Sequence, residues 1–205
     1  MRIEELKRQA EEKEKVDNSI ELLRNKLKTK FKEFQLTSNK LTDLIAEKMR
    51  LRKEILLGEF NIYFEKNGFN VTKISDTAYE ATYKSVMVSI WDQRPNDFDS
   101  ESEFYLDIDD KLHTILIRAS EKSSNRLYWK HNLSYRGKNI HFKNADDIFD
   151  SIAEPDEVED FIKKIEGNTE WYTGTIQDFD KIKFVYAIEG FSLEYMLFVD
   201  LFEAI

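Results

Sequence analysis

The chain has 205 residues, 31 basic and 40 acidic side chains, 41% hydrophobic and 13% aromatic content, and no cysteine. This composition supplies a packed core and excludes disulfides, thiolate metal sites and cysteine nucleophiles together. No apolar run reaches the roughly 18 residues of a membrane span, and Met1-Arg2-Ile3-Glu4-Glu5 is charged from the start. The expectation is therefore a cytoplasmic protein without membrane contact or signal peptide.

The charge is uneven. Residues 1–57 carry 15 Lys/Arg and 11 Asp/Glu, a net +4, whereas residues 58–205 carry 16 and 29, a net −13. This divides the chain into a basic segment, 1–57, and an acidic globular domain, 58–205.

Residues 2–57 read as helix, being dominated by good helix formers. A seven-residue repeat places Ile20, Leu27, Phe34, Leu41 and Ile55 at one seam position and Val16, Leu23, Leu44 and Leu51 at its companion. Lys48 interrupts the first series, and Lys30 and Thr37 interrupt the second. Apolar side chains alternately three and four apart form a stripe that another helix must cover. The expectation is a coiled coil that forms a homo-oligomer or docks on a partner helix. Thr37-Ser38-Asn39 prefer caps and turns, which offers an antiparallel helical hairpin as the alternative to one long helix. The lack of glycine there favours the single helix.

A boundary is expected near Gly58, followed by a helix over Glu59–Asn67 that ends at Asn67-Gly68. The period then changes to two. Phe69–Ile74, Ala78–Tyr83 and Val86–Trp91 suit an antiparallel meander. A polar loop over 92–102 leads to a hairpin, Phe104–Ile108 and Leu112–Arg118, turning at Asp109-Asp110-Lys111. A second hairpin, Arg126–Asn132 and Asn139–Phe142, turns around Ser134-Tyr135-Arg136-Gly137. Two helices follow: Asp146–Ile152, and one that starts at Pro155, buries Val158, Phe161, Ile162 and Ile165, and stops at Gly167. Lys181–Ile188 and Tyr195–Phe202 read as strands around a Glu189-Gly190 turn. The fold class is α+β: a long N-terminal coiled-coil helix, or helical hairpin, then a mainly antiparallel sheet with two or three packed helices.

Scattered glycines allow no phosphate-binding loop, and His113, His131 and His141 form no metal-ligand spacing. No cofactor and no metal are expected. From Asp97 to Asp110 run seven carboxylates, and Asp107 and Asp109, placed on one strand, would share a face. With Lys111, the series Pro95…Asp97…Asp109-Asp110-Lys111 resembles the loose pattern of restriction-type nucleases, although Asp97 does not directly follow Pro95. That resemblance implies Mg²⁺ held by the acids and water positioned by the lysine. Between Glu121 and Asp146 there is no acid, while Arg126, Lys130, Arg136 and Lys138 interleave with Tyr128, Trp129 and Tyr135. Such a hairpin suits a protein partner, through residues enriched at interface hot spots, or single-stranded nucleic acid.

The sequence reading is a non-enzymatic assembly protein with two parts. The coiled coil associates, and the acidic domain recognises a protein through the 122–143 hairpin. The alternatives are a nucleic-acid-binding protein, extending to a Mg²⁺-dependent nuclease, and an acidic mimic of DNA that inhibits a DNA-binding protein.

Overall fold

One helix, α1 (Ile3–Lys66), absorbs the whole heptad segment and continues through Gly58. The computed structural model describes residues 3–93, 101–120, 144–152 and 154–205, and the backbone of 134–135 and 138–139. After α1 come β1 (Asn70–Ser75), β2 (Ala78–Tyr83), β3 (Val86–Asp92), β4 (Glu101–Ile108), β5 (Lys111–Ala119), β6 (Ser134–Tyr135), β7 (Lys138–Asn139), α2 (Ala145–Ser151), α3 (Pro155–Gln177), a 3-10 turn (Phe179–Lys181), β8 (Phe184–Ile188), β9 (Glu194–Tyr195) and α4 (Phe198–Phe202). The architecture is α+β.

The hairpin alternative for α1 is set aside, because the helix is unbroken at 37–39. The Thr37 hydroxyl donates to the Glu33 carbonyl at 2.9 Å, a back-bond that keeps a cap-forming residue inside a helix. The segment read as a separate Glu59–Asn67 helix forms the last turns of α1. There the Phe69 N–H donates to Phe64 O and the Gly68 N–H to Glu65 O, both at 3.0 Å, with Gly68 at φ +83°. This pairing is a Schellman stop, and its left-handed residue is one that glycine occupies without a Cβ penalty.

The chain divides into two compact units, residues 1–41 with 130–177 and residues 42–129 with 178–205, and α1 contributes to both. In the second unit, seven strands form an antiparallel sheet in the order β1-β2-β3-β4-β5-β8-β9. Tight turns fix the register. Ile108 pairs with Lys111 across Asp109 and Asp110, both at positive φ as a type I′ turn requires. The pleat then sorts side chains by parity. Val88, Ile90, Phe104, Leu106, Ile115 and Ile117 are buried on one face, while β8 is buried on both. In the same unit, α1 buries Met49, Lys53, Leu56, Leu57, Phe60 and Phe64, spaced three to four apart on one side of the cylinder.

The expected strand over Tyr195–Phe202 is corrected. Only Glu194–Tyr195 pair with β8, and Phe198–Phe202 form α4. Residues 198 and 201 face inward together on a helix, and the Phe198 ring packs 5.6 Å from Phe60. Strand propensity at Leu197, Val199 and Leu201 gave way to this aromatic packing.

In the first unit, Leu27, Phe31 and Phe34 of α1 share a core with Ala145, Ile148 and Ile152 around α2 and with Val158, Phe161, Ile162 and Ile165 of α3. Asn144 caps α2 by accepting from the Asp147 N–H at 2.8 Å. α3 does not stop at Gly167 as expected. It continues to Gln177, because Tyr172 extends the apolar stripe and meets Phe34 at 5.6 Å. An exposed helical glycine costs only about 1 kcal/mol, which that packing offsets.

Candidate interaction surfaces

The seam residues meet different surroundings along α1. Leu27 and Phe34 lie in the first unit's core, Leu23 packs at its margin and Leu41 is buried. Ile20 and Leu44 are half-buried, whereas Val16, Leu51 and Ile55 are 55%, 43% and 46% exposed. The helix that covers the middle of the stripe thus belongs to the same chain.

The polar interruptions have partners too. The Lys30 Nζ reaches Glu33 at 3.1 Å and Glu166 of α3 at 3.5 Å, and these partners, Glu33 first, raise its pKa. The Lys48 Nζ donates to the Phe179 carbonyl at 3.2 Å and lies 4.9 Å above the Phe179 ring. Burial lowers the Lys48 pKa, and the nearby Asp180 charge offsets part of that. Two cations of the basic segment are likewise part of the fold: Arg24 pairs with Asp150 at 3.0 Å and Lys28 with Asp146 at 3.0 Å.

What the chain leaves uncovered is more informative. From Ile3 to Ser19 every residue of α1 is exposed, including Ile3 at 73% and Leu6 at 46%. These turns extend a helix whose packed part begins at Leu23, so their helical form is carried by that continuity and by propensity. Beside them, Ser19, Ile20, Leu22, Leu23 and Lys26 of α1 and Pro155 and Glu159 of α3 line an open groove of about 310 Å³. It is mainly apolar along its floor, with a cation and an anion among its lining.

No family model, curated protein or solved structure matches this chain.

The acidic stretch divides between strand and turn. Glu101, Glu103 and Asp107 alternate with Ser102, Phe104 and Leu106 along β4, so they lie on the sheet face opposite the core. Glu80 reaches the same face through Ser89, which pairs with both Glu80 and Asp107. Trp91 and Tyr105 stack edge to face on it at 5.6 Å. Asp109 and Asp110 instead occupy the exposed turn, and Lys111 opens β5 opposite Ile108. Asp109 is therefore not on the strand face that carries Asp107. Among the described residues no group of three or more His, Asp or Glu is placed to hold a metal ion.

Of the basic-aromatic hairpin, Arg126, Tyr128, Trp129, Lys130 and Arg136 lie outside the described residues. So do Pro95 and Asp97. Backbone pairing joins Tyr135 to Lys138 and Ser134 to Asn139, closer to the turn than the sequence pattern suggested.

A buried polar group of the second unit was invisible in the sequence. The Lys53 Nζ donates to Asp92 Oδ2 at 2.7 Å, and the two side chains are only 9% and 0% exposed. One residue away, the Arg52 guanidinium lies 3.9 Å above the Tyr186 ring and donates to the Met196 carbonyl. Glu59 Oε2 accepts from the Phe198 N–H at 2.8 Å and so caps α4, whose own Leu197 provides no capping side chain. The sequence pattern places Asp92 in the polar loop, and nothing local links it to Lys53.

Burial pushes the Tyr186 hydroxyl far above the ordinary phenol range; the Arg52 charge opposes this and the Glu59 charge adds to it. Below about pH 10, the ordinary phenol pKa, Tyr186 is neutral in both folded and unfolded chains and its contribution is intact. Above it, the unfolded chain ionises while the folded chain does not, so stability falls as pH rises. Urea midpoints across that range, compared with Tyr186→Phe, should show a shallower alkaline decline in the variant. Identical slopes would remove Tyr186 as the cause.

Proposed function

We propose that this chain is a non-enzymatic assembly protein that docks a helix along the uncovered N-terminal turns of α1. The observation that carries the reading is an exposed helical arm, 3–19, adjoining an apolar groove. Chain-borne helices cover the seam from Leu27 to Phe34, and the same stripe continues outward through Leu23, Ile20 and Val16. A helix laid there extends that packing, in the helix-in-groove mode of recognition.

The test is a double substitution on the arm, Leu6→Glu with Val16→Glu. Both side chains are exposed, so the fold should stand. Native mass and amide exchange of residues 3–19 are followed in the purified chain and in cell extract. The parent is expected to enter a complex of fixed stoichiometry that protects the arm, and the variant to bind roughly a hundredfold more weakly. Free exchange of the arm in both settings, with one mass for parent and variant, would end the reading.

A further inference from the structure

We infer that the helix received by this groove is the arm of a second copy of the chain, laid antiparallel in a twofold-symmetric exchange. The inference rests on the helix-docking reading above and specifies its partner. The groove asks for an apolar side chain flanked by an acid to meet Lys26 and a base to meet Glu159. The arm offers that set within four residues: Glu5, Leu6 and Arg8.

Charge along α1 selects the orientation. Residues 3–12 hold Glu4, Glu5, Glu11 and Glu12 against Lys7 and Arg8, a net −2. Residues 18–28 hold Arg24, Lys26 and Lys28 against Glu21, a net +2. Arg24 and Lys28 already face Asp150 and Asp146, which leaves Lys26 as the cation at the groove wall. Antiparallel pairing sets the acidic arm of each copy beside Lys26 of the other. In the heptad frame Leu6 then falls against Leu23 of the second copy, and Glu5 lies beside its Lys26. Parallel pairing stacks Lys13 on Lys13 and Glu12 beside Asp17, like against like. The exchange is isologous, since each copy supplies one arm and one groove, so it closes at two copies.

Charge reversal tests this on the full chain. Glu5 and Lys26 are both exposed, so their substitution leaves the core intact. Glu5→Lys or Lys26→Glu alone is expected to weaken self-association, measured by light scattering across concentration, roughly tenfold. The double variant Glu5→Lys/Lys26→Glu is expected to restore it. The chain has no cysteine, which makes introduced thiols unambiguous. Leu6→Cys mixed with Leu23→Cys should yield a cross-linked heterodimer on oxidation, while Leu6→Cys alone should not. Efficient cross-linking of Leu6→Cys to itself would overturn the antiparallel placement. Failure of the double reversal to rescue would overturn the Glu5–Lys26 pairing. A chain that stays single but binds a different protein through the arm would overturn the second copy and leave helix docking standing. With neither complex formed, both fall.

Discussion

Replacing Asp92 with alanine should cost the second unit about 3–5 kcal/mol, the usual loss when one member of a buried ion pair is removed. Lys53, whose side chain is only 9% exposed, would lose its 2.7 Å carboxylate partner. The expected contrast is Lys53→Met combined with Asp92→Leu, which removes both charges and should recover most of that loss, because the pair itself contributes little beyond its own desolvation. Chemical denaturation of the three chains decides it. A loss below about 1 kcal/mol for Asp92→Ala is the level of an exposed pair, and would mean that water reaches Lys53. The pair would then be a surface contact and not a pin between α1 and β3.

Phe60→Ala should cost a similar about 3–5 kcal/mol, as a large aromatic deletion from a packed core does. Phe60 is fully buried, with ring centroids 4.6 Å from Phe64 and 5.6 Å from Phe198. Two residues on, Ile62 is 51% exposed on the other side of the helix. Ile62→Ala should stay within about 0.5 kcal/mol. The pair of measurements tests which side of α1 carries the unit. Comparable losses at both positions would show that the outer stripe of Leu51, Ile55 and Ile62 is covered in solution.

The sheet was legible because its signals are local. Ala78–Tyr83 lies between polar breaks and is read at its observed bounds, and the Asp109-Asp110 turn falls between two strand-like runs. The elements misread were those decided at a distance. Leu197, Val199 and Leu201 carry strand propensity, yet Phe60 and the Glu59 carboxylate draw residues 198–202 into a helix. Gly167 looked like a stop because the residues that carry α3 past it, Tyr172 among them, gain their value only from Phe34. The covering of the seam was the larger omission. Its apolar stripe and that of α3 were each visible, but more than a hundred residues separate them, and nothing local says that one is for the other. The interruptions at Lys30 and Lys48 were the available hint: a polar group at a seam position needs a particular partner, and Glu166 and the Phe179 carbonyl supply them. The site followed the same rule, with the stripe readable and its uncovered portion not.

The order in which the chain is made gives the covered seam a history. Leu27, Phe31 and Phe34 emerge early, but Ile148, Phe161 and Ile165, which enclose them, are translated more than a hundred residues later. At about 5–20 residues per second, that interval is on the order of ten seconds. For that time a growing chain displays the whole stripe, not only its outer end. Neighbouring ribosomes on one message would hold such stripes side by side. Arrival of α2 and α3 then acts as a timed closure: it covers the inner seam and leaves residues 3–19 exposed.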